Sequence, residues 1–201
     1  MKYASIDIET TGLNEQTCQI LSVGVVIEDT KNILPFDKIP KLHLVLVDNS
    51  IQGELFAIDL NKDLISLIKD YSFGDFDRKL ILSDIHDIVF THKDFVVDHI
   101  IDFLSENNVE GKLTVAGKNY VGFDKKFLEK LPGWDKLNIH RRVIDPATSF
   151  VDWENDTELP DLSLCKYRAG MDNTVVKHTA IEDAFDVIEI LRTQYSFNKT
   201  I

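Results

Sequence analysis

Two carboxylates separated by one residue, Asp7-Ile8-Glu9, close a run from Tyr3 to Ile8 that leans toward β structure and stops at Thr10, Thr11 and Gly12. Residues i and i+2 of a strand point to one face, so this strand would present both carboxylates together. Paired carboxylates invite a divalent metal. The same spacing recurs at Asp152-Trp153-Glu154 and Asp156-Thr157-Glu158, but those lie in a polar stretch that reads as loop, whereas Asp7 and Glu9 follow a buried-looking strand and precede a glycine turn.

A second pattern places a histidine five residues before an aspartate, His178 and Asp183, and it too recurs, at His43 with Asp48 and His140 with Asp145. Setting separates the three. Asp183 falls in the first turn of an amphipathic helix, beside Ala180 and Ala184, whose small side chains leave room for a site. His178 precedes that helix on a loop from which it could swing toward a substrate. Taken alone, Asp183 reads as an acidic residue complementing the helix dipole. Between these motifs, Gly117 to Asp124 reads as a strand-loop-helix junction in which Phe123 plugs the core and Asp124 starts a helix, where a carboxylate also serves as an N-cap. A patch of Asp84, His86, Asp87, His92, Asp94, Asp98 and His99 fits no metal-ligand template.

The elements that must position these residues follow from periodicity. Tyr3 to Ile8, Ile20 to Ile27 and Leu42 to Val47 read as three strands close enough in sequence for an antiparallel meander. Leu64, Ile65, Leu67 and Ile68 follow helical spacing, as do Val96, Ile100, Phe103 and Leu104. Leu113 to Ala116 reads as a strand, Lys125 to Leu131 as a helix stopped by Pro132 and Gly133, Arg142 to Ile144 as another strand, and Leu162 to Ala169 as a helix ended by Gly170. Ile181, Ala184, Phe185, Ile188 and Leu191 form one apolar stripe of the last helix. Tyr71 to His92 reads as an insertion with some helix.

With 201 residues, 44% hydrophobic and 28% charged, the chain suits one compact domain over residues 1–201 and excludes disorder, collagen and coiled coil. No apolar run approaches membrane-spanning length, and Asp7 and Glu9 interrupt any signal-peptide core, so a cytoplasmic location and no membrane partner are expected. Cys18 and Cys165 read as packed thiols. The net charge of −12 repels phosphate at long range, so nucleic-acid contact must be local.

In their order, Asp-x-Glu, Asn-x-x-x-Phe-Asp and His-x-x-x-x-Asp, these motifs resemble the DEDD superfamily of 3′–5′ exonucleases across nearly the whole chain. Asp7 to Leu13 is similar to the first exonuclease motif, Asn119 to Asp124 to the second, and His178 to Asp183 to the third. The histidine marks the histidine subclass, since the tyrosine subclass would carry tyrosine where Thr179 stands. That subclass holds the DnaQ-like polymerase proofreading subunit, ribonuclease T and oligoribonuclease. Val143 to Pro146 with Leu159 to Leu162 also resembles small stand-alone forms that phages often carry, for which the location would be the host cytoplasm. Lys118 departs from relatives with histidine beside the asparagine, a change expected to alter backbone preference and not metal binding.

The resemblance implies a ribonuclease H-like α/β fold, three antiparallel strands continued by parallel ones and flanked by helices. Asp7, Glu9, Asp124 and Asp183 would converge on two Mg2+ or Mn2+ ions, and His178, with an ordinary pKa of about 6.5, would accept the proton of the attacking water. Hydrolysis of the terminal phosphodiester of single-stranded DNA or RNA would release nucleoside 5′-monophosphates. Glu9 and the backbone of the turn formed by Thr10, Thr11, Gly12 and Leu13 would hold the terminal ribose, with Leu13 wedged between the last two bases, and Asn119 and Phe123 would complete the substrate site. Lys118, Lys125, Lys126, Arg141, Arg142, Lys166, Arg168 and Lys177 flank the motifs as candidate contacts to upstream phosphates. Three readings stay open at this level: a DNA- or RNA-directed exonuclease, an RNA-specific oligoribonuclease or ribonuclease T-like enzyme, and an inactive binding module. A polymerase or another replication protein is a further candidate partner.

Overall fold

The computed structural model describes residues 1–74, 88–171 and 179–196. Its centre is a five-stranded sheet of order β4-β3-β2-β1-β5, made of β1 (Lys2–Thr10), β2 (Ile20–Asp29), β3 (Lys41–Leu46), β4 (Ile88–Thr91) and β5 (Val115–Ala116). The expected meander forms: β1 with β2 and β2 with β3 are antiparallel, and β5 adds to β1 in parallel. β2 takes the middle because its residues from Leu21 to Ile27 are apolar or small enough to be buried on both faces, and the buried Glu28 that follows is paired with Arg192.

Two features differ from expectation. Ile88 to Thr91, inside the stretch read as an insertion, is an edge strand parallel to β3, pairing His43 with Ile88 through Leu46 with Thr91. Four residues give too short a pattern to register as a strand on periodicity. The strand expected over Arg142 to Ile144 contracts to a single parallel bridge from Ile144 to Ala116, with a second bridge from Ile139 to Leu113.

Alternation along β1 sorts its side chains between two layers. Ala4, Ile6 and Ile8 join Val23, Val25 and Leu44 under α3 (Val96–Glu106) and α4 (Asp124–Leu128). Tyr3 lies on the opposite face with Val26, packed against Ile181, Ala184 and Ile188 of α6 (Ala180–Ser196). Asp7 and Glu9 share the parity of Tyr3, so they face the α6 layer. α1 (Leu55–Leu60) and α2 (Lys62–Phe73) are separate helices joined at Asn61, and α2 buries Ile68 against Leu21 and Val45. α5 (Leu162–Arg168) begins at Asp161, whose carboxylate accepts the Leu164 N–H at 2.7 Å. Among the described residues no helix is long and apolar enough to cross a membrane.

Candidate active site

The site begins with a close approach of backbone to backbone. Asp7 in β1 pairs with Gly24 in β2, and a Cβ on Gly24 would lie 2.3 Å from the carbonyl oxygen of Ala180 and 2.6 Å from the nitrogen of Ile181. Only glycine lets the first turn of α6 rest on β2 there. That contact brings Asp183 over the end of β1, where ligand oxygens of Asp7, Glu9 and Asp183 all lie within 4.8 Å of one another.

Asp124 arrives by a different route. Pairing of β5 with β1 ends at Ser5 and Ala116, leaving the Ile8 N–H free on that edge, and Asp124 Oδ1 accepts it at 3.1 Å. Asp124 is the first residue of α4 but does not cap it: the N-cap position is Phe123, without a side-chain cap bond. The N-cap alternative for Asp124 is thereby set aside. Its carboxylate takes over a strand's hydrogen-bonding role because the chain has turned away from the sheet at Gly117, packed on the Ile6 carbonyl with its Cβ direction 2.9 Å from that oxygen.

Crowding shows in the electrostatics of all four acids. Burial, then repulsion from Asp124, Asp183 and Glu9, raises Asp7 well above the usual carboxylate range. Burial and Asp183 push Glu9 up to about 8, against a hydrogen bond from Asn61 that lowers it. Asp124 is pushed up to about 7 by burial, with hydrogen bonds from backbone amides opposing and Asp183 adding to the rise. Burial, Asp186 and Glu182 raise Asp183 to about 7, while Lys166 lowers it. Oδ1 of Asp183 is buried and has no hydrogen-bond partner among the described residues. Four carboxylates with raised pKa values and an unsatisfied, inward oxygen fit a bound divalent cation, since such a charge would reverse each of these penalties.

The Thr10 to Leu13 turn is held from within. Thr10 Oγ1 donates to the Gly12 carbonyl at 2.8 Å and Thr11 Oγ1 to the Gln52 carbonyl at 2.7 Å, so both hydroxyls are spent on the fold. Leu13 is 75% exposed. Asn119 adopts a left-handed φ of 55°; its N–H donates to Asp145 Oδ2 at 2.9 Å, and its side chain remains at the surface. Phe123 packs on Phe127, ring centroids 5.1 Å apart. His178 lies outside the described residues, as do Asp84, His86, Asp87 and Lys177.

The other histidine-aspartate matches are engaged elsewhere. His43 is buried inside β3, and His140 Nδ1 accepts the Arg142 N–H at 3.1 Å while Asp145 binds the amides of Asn119 and Ala147. Two cations expected near phosphate are also committed: Lys166 is buried and pairs with Asp186 at 2.8 Å, and Arg168 pairs with Asp156. Asp156, in one of the recurring Asp-x-Glu stretches, is thus a structural ion-pair partner.

Four residues that the sequence did not single out, Gly24, Gly53, Glu54 and Asn61, complete the surroundings. Asn61, buried at the junction of α1 and α2, donates to the Thr10 carbonyl at 3.2 Å and also bonds Glu9. Glu54 and Gly53 fasten α1 to the turn, the Glu54 N–H donating to the Thr11 carbonyl at 2.7 Å. Gly24 had a legible signal, a lone glycine inside an apolar strand; Asn61 and Glu54 had none, since their partners are 51 and 41 residues away.

No family model matches the chain. It is 24% identical to an oligoribonuclease of Neisseria meningitidis over 191 residues, covering 93% of this chain and 87% of that one. Its fold is similar to the nuclease domain of 3′hExo, a DEDDh family member bound to rAMP, with a TM-score of 0.63 at 15% identity, covering 98% and 92% of the two chains. It is also similar to the zinc-bound form of an Escherichia coli ExoI–single-stranded DNA complex, with a TM-score of 0.64 at 11% identity, covering 99% of this chain and 41% of that one. Fold and relatives together match the DnaQ-like 3′–5′ exonuclease superfamily.

Proposed function

We propose that this chain, a DnaQ-like domain by fold and by relatives, is a phosphodiester hydrolase that removes nucleotides from the 3′ end of single-stranded DNA or RNA and releases nucleoside 5′-monophosphates. The observation that carries the reading is the meeting of Asp7, Glu9 and Asp183 within 4.8 Å, with Asp124 anchored on the adjacent Ile8 amide. These four acids would hold two divalent cations, magnesium or manganese in preference to zinc because every donor is a hard oxygen. Bound there, the metal would supply Lewis-acid activation of the phosphodiester and neutralise charge at phosphorus.

The chain's own residues supply the rest. His178, two residues before α6, accepts the proton of the attacking water on an imidazole nitrogen as the P–O3′ bond breaks. Asn61 fixes the Glu9 carboxylate and the Thr10 carbonyl together, so the turn keeps its place relative to the acids. Exposed Leu13, Leu55 and Phe56, all within or next to the segments that join the turn to α1, offer apolar surface for nucleobases. The acidic net charge suits short or single-stranded substrates, whose binding depends on stacking and few phosphates. The oligoribonuclease relatives favour RNA within this reading.

The test is digestion of 5′-labelled single-stranded DNA and RNA with magnesium or manganese. A ladder shortening from the 3′ end, blocked by a 3′-phosphate and abolished by chelator, is expected. Cleavage of a circular single strand, or hydrolysis that persists in excess chelator, would overturn the reading.

A further inference from the structure

The contacts of Glu54 bear on which sugar the 3′-terminal site prefers. Phosphate belongs at the acid cluster, and the exposed apolar side chains of Leu13, Leu55 and Phe56 mark where bases rest. In any nucleotide the sugar lies between phosphate and base, which places the terminal sugar over the turn that links the two. Glu54 lies against that turn. Its carboxylate Oε1 accepts the Leu13 N–H at 3.2 Å and faces Cys18 Sγ at 3.8 Å. Its side chain occupies the space a Cβ on Gly12 would need, 2.7 Å from that position. Oε2 has no hydrogen-bond partner among the described residues.

We infer that Glu54 reads the 3′-terminal sugar, its free carboxylate oxygen accepting the 2′-hydroxyl and so favouring a terminal ribose over deoxyribose. The inference rests on the exonuclease reading above. A carboxylate can only accept, and the 2′-hydroxyl is the donor that deoxyribose lacks. The Leu13 amide holds Oε1, so part of the ordering of the side chain is already met before binding. Gly12 is needed because any larger residue would displace this carboxylate from the turn.

The experiment compares a DNA oligonucleotide with the same oligonucleotide ending in a single 3′-terminal ribonucleotide, and with one ending in a 2′-O-methyl nucleotide. The wild-type chain should hydrolyse the ribose end faster by roughly 10- to 100-fold, the scale of one hydrogen bond to a charged acceptor. The 2′-O-methyl end, which cannot donate, should behave as deoxyribose. Glu54→Ala should bring the ribose-to-deoxyribose ratio near one, and Glu54→Gln, which keeps a carbonyl acceptor, should leave an intermediate ratio. Equal wild-type rates on both sugars would overturn the inference and leave the exonuclease reading standing. So would a ratio unchanged in Glu54→Ala, even with both rates lowered, because that is the signature of a prop for the turn. Absence of hydrolysis of every substrate would instead overturn the exonuclease reading itself.

Discussion

Asp183 carries the least-satisfied oxygen of the four acids, and that makes its substitution informative in two directions. Asp183→Asn should lower both turnover and divalent-metal affinity, measured by activity against metal concentration and by calorimetric titration. The same change should raise the thermal midpoint of the metal-free protein, because it removes a charge held near Glu9, Glu182 and Asp186 without a hydrogen bond at Oδ1. His178→Ala should behave differently: turnover should fall by about 10²- to 10⁴-fold, the range for loss of a general base, with metal affinity and thermal midpoint retained. His140→Ala should stay within a few-fold of the parent, since that imidazole is occupied by the Arg142 amide. If His140→Ala lost activity and His178→Ala kept it, the third motif would have been placed on the wrong histidine.

The elements that carry these residues depend on one contact between β2 and α6. Gly24→Ala would drive a methyl group into the Ala180 carbonyl, and both partners are backbone, so neither can step aside by changing rotamer. The expected result is a loss of about 1–3 kcal/mol of stability, the usual cost of overpacking, together with weaker metal binding as Asp183 moves off β1. Chemical denaturation and metal titration of Gly24→Ala would check both; unchanged metal affinity would mean that α6 does not set the spacing of the acids. The far end of α6 is clamped independently, with Arg192 Nη2 2.5 Å from the nearly fully buried Glu28 Oε2. Much of this architecture was legible in the sequence because it rests on local periodicity. The alternation in β1 put Asp7 and Glu9 on one face, and the stripe through Ile181, Ile188 and Leu191 marked the buried side of α6. β4 was not legible, being four residues long and paired only through a parallel edge register with β3. Asn61, Glu54 and the Ile8 amide bond to Asp124 were not legible either, because each joins residues far apart in sequence whose types are ordinary where they stand.

At the scale of the whole molecule, the four acids make stability and metal binding two sides of one linkage. In the unfolded chain they titrate near the ordinary carboxylate values of about 4. In the fold, Asp124 and Asp183 rise to about 7, Glu9 to about 8, and Asp7 is raised as well. Between those limits the folded state binds more protons than the unfolded state, so stability falls as pH increases. The contribution is fully present below the unfolded pKa values and is lost as pH rises through the folded ones. Metal-free protein should therefore melt at a progressively lower temperature from pH 5 to pH 8, with the steepest loss between about 5 and 7, where unfolded carboxylates are ionised and folded ones are still protonated. Divalent cation should reverse that slope, because ions bind the deprotonated cluster and bind only the folded state, giving stabilisation that grows with pH. Thermal melts at a series of pH values, with chelator and with magnesium or manganese, measure both slopes. A metal-free midpoint that rose across this range would mean that the acids are neutralised within the fold by groups other than a cation, and the cluster could not then be read as a metal site.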